Sequence, residues 1–161
     1  MSDICFFVPG SPAPGGSKTG YPRQVQYFDK KTKKMKNRII VNMVPASKYT
    51  KPWMKIVRDI AKSEYRAEPL SGPIHLTMRF RILRPKYHYG TGRNARIIKS
   101  DSPIFPTCPP DLTKYVRSTE DALTGVLWID DGQVVKGEYT KEYCSEKPGV
   151  VILIREVSLF Q

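Results

Sequence analysis

Apolar and polar positions alternate most cleanly through PIHLTMRFRIL, residues 73–83, where Ile74, Leu76, Met78, Phe80 and Ile82 share one side and His75, Thr77, Arg79 and Arg81 the other. A period of two over that length predicts a half-buried strand, with His75 on its solvent face or between elements. Upstream, DICFFV (3–8) is a short apolar run stopped by Pro9 and Gly10, the pattern of a buried first strand. The period changes between residues 50 and about 65: Trp53, Ile56, Val57, Ile60 and Ala61 recur at helical spacing, with Thr50 as cap and Pro52 in the first turn. A second helix is predicted from Leu112 to about Thr124, burying Leu112, Tyr115, Val116, Thr119 and Leu123, with Asp111 at its N-cap and Gly125 past its end. Strand-like VLW follows, then the corner Asp130-Asp131-Gly132 and two further strands, QVVKGEYTKEYC and GVVILIREV, joined by SEKPG.

Three stretches break the pattern. PGSPAPGGSKTGYP (9–22) is too rich in Gly and Pro for regular structure, and it fails as a phosphate loop because Gly16 and Ser17 intervene before Lys18 and the prolines lack donors. It is expected to be a mobile, substrate-facing loop carrying Lys18. Lys18 to Arg38 holds eight basic residues and one acid, flanked by QVQYF and RIIVNMV, which reads as a hairpin with a basic tip, either a solvated turn or a DNA contact. Residues 84–110 form a long basic connection containing Tyr87 and Tyr89. Basic side chains attract phosphate and tyrosines stack on bases, so the stretch is either a nucleic-acid flap or a floppy insertion.

A length of 161 residues fits one domain over 1–161. The net charge of +12, from 27 basic and 15 acidic residues, makes nucleic acid the first partner to test. No apolar run approaches the roughly 20 residues of a membrane span, and no secretory signal opens the chain, so a cytoplasmic protein is expected. Cys5, Cys108 and Cys144 lack disulfide or zinc spacing, and His75 and His88 are the only histidines. Any metal would therefore be a hard cation bound by oxygen.

Against that basic background Asp111, Glu120, Asp121, Asp130 and Asp131 gather within 26 residues, PPDLTKYVRSTEDALTGVLWIDDGQV. Asp111 has a plain reading as a helix cap, and Asp-Asp-Gly is a common turn. One helix and one short strand also give a path that returns Asp131 to the helix start if the strand packs back. Two carboxylates brought together repel unless a proton or cation sits between them, and Mg²⁺ needs only one or two, taking water and phosphate besides. On the polar face Thr113, Arg117 and Glu120 fall on one line, where arginine serves either as a surface ion pair or as a phosphate clamp.

PDLTKYVRSTEDALTGVLWIDDGQV resembles the signature of the RusA-like Holliday junction resolvases, P-D-L-D-N-x-x-K, D-A-L, then W-x-D-D-x-Q-V; FFVPGSPAPGGSK is similar to that family's opening strand and loop. The resemblance implies an α+β fold, a small mixed β-sheet with two main helices, and a homodimer whose two sites suit the two-fold symmetry of a four-way junction. It implies a Mg²⁺-dependent endonuclease, with Mn²⁺ as substitute, that resolves branched DNA in a bacterial cytoplasm, for phage or prophage DNA processing. Asp111, Asp130 and Asp131 become the metal ligands and, with Arg117, the catalytic set; Asp121 of the D-A-L element takes a supporting role. Lys18, Arg23, Arg84, Lys86, Arg93, Arg96 and Lys114 become the DNA contacts. Two departures stand out: Arg117 replaces the usual lysine, and Thr113 replaces the second aspartate. A chain that binds branched DNA but cuts weakly or not at all is the alternative.

Overall fold

The computed structural model describes residues 3–16, 18–45 and 47–158; Ser17 of the glycine-rich loop lies outside them. Six strands and two α-helices occur in the order β1 (Ile4–Pro9), β2 (Lys18–Asp29), β3 (Lys34–Pro45), α1 (Thr50–Glu64), β4 (Ile74–Leu83), α2 (Leu112–Leu123), β5 (Val134–Cys144), β6 (Gly149–Glu156). Four of them build one mixed sheet, ordered β1-β6-β4-β5, and β2 pairs with β3 as a separate ribbon. The architecture is α+β, as the resemblance implies.

The core follows from the register. Leu76, Met78 and Phe80 of β4 stand opposite Ile154, Ile152 and Val150 of β6, and Phe6 and Val8 of β1 opposite Ile152 and Val150, so their side chains share one face. All are buried, covered by Trp53, Val57 and Ala61 of α1 and by Tyr115, Val116, Ala122 and Leu123 of α2. The Phe80 and Tyr115 rings stack at 5.6 Å, and the Trp53 indole donates to Thr119 Oγ1 at 3.1 Å, tying helix to sheet and helix to helix. Ile56, expected in the buried stripe, stays exposed on the outer flank of α1.

β4 and β5 run parallel, so a crossover must join them, and residues 84–110 with α2 are that crossover. The first part has local structure of its own rather than the form of a floppy insertion. Two single 3₁₀ turns, Lys86–His88 and Gly92–Asn94, organise it, and the buried His88 accepts from Lys99 N and Ser102 Oγ through its carbonyl, both at 2.9 Å. Tyr143 N then donates to Ile104 O, and Lys141 Nζ to the Cys108 and Pro110 carbonyls, which fastens the connection to β5 just before α2 begins. With little apolar periodicity but dense backbone pairing, it is a fold the sequence pattern hides.

The glycine-rich loop is likewise pinned rather than mobile over residues 10–15. Gly10 N donates to Pro148 O, Gly15 N to Lys114 O, Ser118 Oγ to Ala13 O and Thr50 Oγ1 to Pro14 O. Thr50 therefore anchors this loop instead of capping α1, whose N-cap is Tyr49. A Cβ on Gly15 would stand 2.8 Å from Ser118 Cβ and 3.0 Å from its backbone. We predict that Gly15→Ala costs about 1–3 kcal/mol of stability, as overpacking against a helix backbone does, read from the shift of the denaturant midpoint.

VLW is not a strand. After Gly125, at φ +76, the chain turns so that Trp128 bridges both Thr124 and Leu70, burying Leu127 and Trp128 below the end of α2.

Candidate active site

α2 supplies the floor of a cleft of about 520 Å³. Its buried stripe faces the sheet, which leaves Thr113, Arg117 and Glu120, spaced by four and three, along the outer face. Gly15 and Gly16 form one wall, and Asp131 and Tyr139, from the approach to β5 and from β5 itself, form the other; Lys114, Val116 and Asp121 complete the lining. Gly16 sits at φ +83 with Arg117 so close that a Cβ would lie 3.1 Å from its Cδ, so glycine here lets the loop reach the arginine.

The carboxylates meet at the C-terminal half of the helix. Burial pushes the Glu120 carboxyl above its ordinary value, the charges of Asp131 and Asp121 push it further, and only Arg117 pulls it back. Tyr139 is raised as well, by burial first and by Glu120 second. Among the described residues, no three His, Cys, Asp or Glu side chains form a group spaced to hold a metal.

Asp111 is not one of the cleft's lining residues, but its ion-pair partner Lys114 is. Because β5 parallels β4, α2 must run back against both, and Lys141 near the far end of β5 holds the Pro110 carbonyl just ahead of Asp111, whereas the 3₁₀ turn Asp131–Gln133 immediately precedes Val134 at the near end. Asp131 thus shares its cleft with Thr113 and Lys114 of the first turn of α2 as well as with Glu120, whose carboxyl its charge raises. Asp111 occupies the N-cap position but accepts no capping bond; its Oδ2 lies 3.0 Å from Lys114 Nζ. Asp130 caps the 3₁₀ turn Asp131–Gln133: its Oδ1 accepts from Gly132 N at 2.8 Å, and Gln133 Oε1 accepts in return from Asp130 N at 2.9 Å. Gln133 Nε2 donates to the Leu70 and Gly72 carbonyls, so this capping box fixes where Asp131 stands.

The expected DNA contacts scatter more widely. Lys114 lines the cleft; Lys18 and Arg23 lie on β2; Arg93 is exposed on its 3₁₀ turn; Lys86 and Arg96 border a second cavity of about 910 Å³ beside the connection. Arg84 is occupied within the fold, donating to Pro103 O at 2.8 Å and lying over the Tyr143 ring at 5.2 Å. Tyr139 and the glycine wall carried no chemical signal in the sequence. Glu120 did carry one, its seven-residue spacing from Thr113, and its nearness to Asp131 is what the spacing could not supply.

The family model described as endodeoxyribonuclease RusA matches residues 10–155, from the glycine-rich loop to the last strand. A relative from Bacillus subtilis (strain 168), the uncharacterized protein YqaN, is 34% identical over 114 residues, covering 70% of this chain and 75% of its own. With the pinned loop, the outer line of α2 and the Asp-Asp corner all inside the matched span, the chain belongs to the RusA endodeoxyribonuclease family.

Proposed function

We propose that the protein is a divalent-metal-dependent endonuclease that resolves four-way and other branched DNA by paired phosphodiester hydrolysis. The carrying observation is the cleft in which Glu120 and Asp131 repel one another beside Arg117, in a family of DNA endonucleases. Two carboxylates in a partly buried cleft fit Mg²⁺ or Mn²⁺, which need few protein ligands and relieve the repulsion. Asp131 and Glu120 would hold the ion. When bound, it supplies an activated water at neutral pH and charge stabilisation on the phosphate.

The chain's own residues supply the rest. Arg117 stays protonated and offers a planar fork for phosphate, so it steadies developing charge but gives up no proton. Protonation of the leaving oxygen then falls to water. Lys114 is held by Asp111 only through an exposed pair, an interaction of about 0–1 kcal/mol. A DNA phosphate taking Lys114 would release Asp111 toward the cleft mouth, where it would join the metal ligands. Asp130 acts through its cap on Asp131.

Two cleft-bearing chains related by a two-fold axis match the symmetry of a four-way junction, which supports a homodimer and paired nicks. The decisive experiment is nicking of a synthetic four-way junction against linear duplex in Mg²⁺ and Mn²⁺. Junction-selective nicks in opposed arms are expected. Retention of the junction in a gel shift with no cut in either metal would leave the binding-module alternative, for which Thr113 in place of an aspartate is the motive. Affinity should fall steeply between 50 and 200 mM salt, on the order of 10³-fold if six phosphates are neutralised.

A further inference from the structure

The second cavity lies at the far ends of β4 and β5 and shares no lining residue with the cleft on α2. Its walls are pinned. Arg84 N donates to Cys144 O at 2.8 Å, holding the start of the connection against the end of β5, and Gly90 N donates to Ile97 O at 2.9 Å, closing the connection on itself. At about 910 Å³ it falls within the ~300–1,000 Å³ of small-ligand clefts. Four of its lining side chains are charged, Arg84, Lys86 and Arg96 against Glu146. Lys86, Arg96 and Glu146 stand in no ion pair among the described residues, and Arg84 Nε is buried without a hydrogen-bond partner. Tyr89, half-buried, lines the cavity as well, and among the described residues no other ring or cation engages its ring.

We propose that this cavity takes one nucleotide extruded from branched DNA, its base stacked on Tyr89, the pairing edge of that base donating to Glu146, and its phosphates held by Lys86 and Arg96. The mixture of side chains selects that ligand. Three cations draw a polyanion, but a site for phosphate alone gains nothing from Glu146, which repels it. A base accounts for the acid, because each of the four bases carries an N–H on its pairing edge and a carboxylate accepts one. In duplex those N–H groups are engaged by the other strand, so an extruded base alone can offer them. Extrusion costs least where pairing and stacking are already disturbed, which is the condition at a branch point and not along plain duplex. An aromatic ring takes any base on its face, so the site reads structure and not sequence. β5 carries the chain from Tyr139 in the cleft to Ser145 at the cavity, roughly 20 Å at the rise of a strand. At ~3.4 Å per stacked nucleotide, the captured one lies about six positions from the phosphate in the cleft, fewer where the strand is unstacked. The proposal rests on the DNA-endonuclease reading for the polymer it names.

Binding of synthetic four-way junctions by the full chain, without divalent metal, tests it while an abasic sugar is moved one position at a time outward from the branch. One position should lose ~5–100-fold in affinity and the others far less. Tyr89→Leu should bind the intact junction about as weakly as wild type binds that abasic one, and the two changes together should cost no more than either alone. Because the Tyr89 backbone bridges Ile98 and its replacement could loosen the connection, Glu146→Ala, at an exposed position, provides the second variant. It also separates base from phosphate. Shedding a negative charge from a basic site tightens a phosphate contact, whereas here it should weaken the intact junction roughly 10-fold and leave the abasic one no weaker. An even abasic profile, or a Glu146→Ala chain that holds the intact junction as tightly as wild type or more so, overturns the proposal. An uneven profile in a chain that nicks no junction in Mg²⁺ or Mn²⁺ instead defeats the nuclease reading and leaves the nucleotide site standing.

Discussion

Asp131→Asn is expected to slow junction nicking on the order of 10³-fold while leaving junction retention in a gel shift within a factor of about two. The asymmetry follows from where affinity and chemistry reside. In the proposed reading affinity comes from cations spread over the ribbon and the cleft, and removing one negative charge from their midst should not weaken it. In the same proposal the chemistry depends on a carboxylate delivered to a fixed point by the Asp130–Gln133 capping box, which is why the neighbouring change should behave differently. Asp130→Asn keeps an oxygen able to accept from Gly132 N, so it should cost far less activity than Asp131→Asn. Nicking by Asp131→Asn at the wild-type rate would remove that residue from the metal site and take the two-carboxylate reading with it.

Most of the sheet and both helices were legible because their signals are local. Alternation in PIHLTMRFRIL and the helical spacing from Trp53 to Ala61 each report one buried face, and the structure buries Ile74, Leu76, Met78, Phe80, Trp53, Val57 and Ala61 as those periods require. What stayed hidden depends on partners far along the chain. Thr50 looks like a cap until Pro14 supplies a better acceptor, and the Pro/Gly loop looks mobile until Ser118 and Lys114 hold it. VLW has strand-forming residues, but with Trp128 bridging Thr124 and Leu70 the segment is spent on a turn that closes the end of α2.

The site was half legible for the same reason. The motif identified the segments that matter, yet it gave the acids as a string, and a string does not say that β5 runs parallel to β4. The parallel pairing makes α2 run back along the strands, with Asp111 paired to Lys114 beside the Lys141-bound turn and Asp131 set against Glu120 in the cleft that Lys114 also lines. The loss of an aspartate at position 113 and the presence of a glutamate at 120 then belong to one account. Both lie on the same line of α2, and negative charge absent at one end of the cleft stands at the other.

Glu120→Gln separates that account from a merely structural acid, because its effects on stability and on activity should have opposite signs. Burial and the charges of Asp131 and Asp121 raise the Glu120 carboxyl in the folded chain, so over the interval between its ordinary and its raised value the native state holds a proton that the unfolded state releases. Stability therefore falls as pH rises through that interval and remains lower above it. Glutamine carries no charge to bury, so without divalent metal the variant should melt at a higher temperature than wild type at pH 7, and the difference should close in acid, where Glu120 is protonated. Added Mg²⁺ or Mn²⁺ should raise the melting temperature of wild type, and raise that of Glu120→Gln much less, because the ion relieves a repulsion the variant has already lost. Nicking by the variant should drop by roughly 10²–10³-fold, and Thr113→Asp placed on top of it should recover part of the loss by returning a carboxylate to the same face near the helix N-terminus, where negative charge is favoured. A metal response equal to that of wild type would make Glu120 a bystander, with the chemistry carried by Asp131 and by an Asp111 released from Lys114.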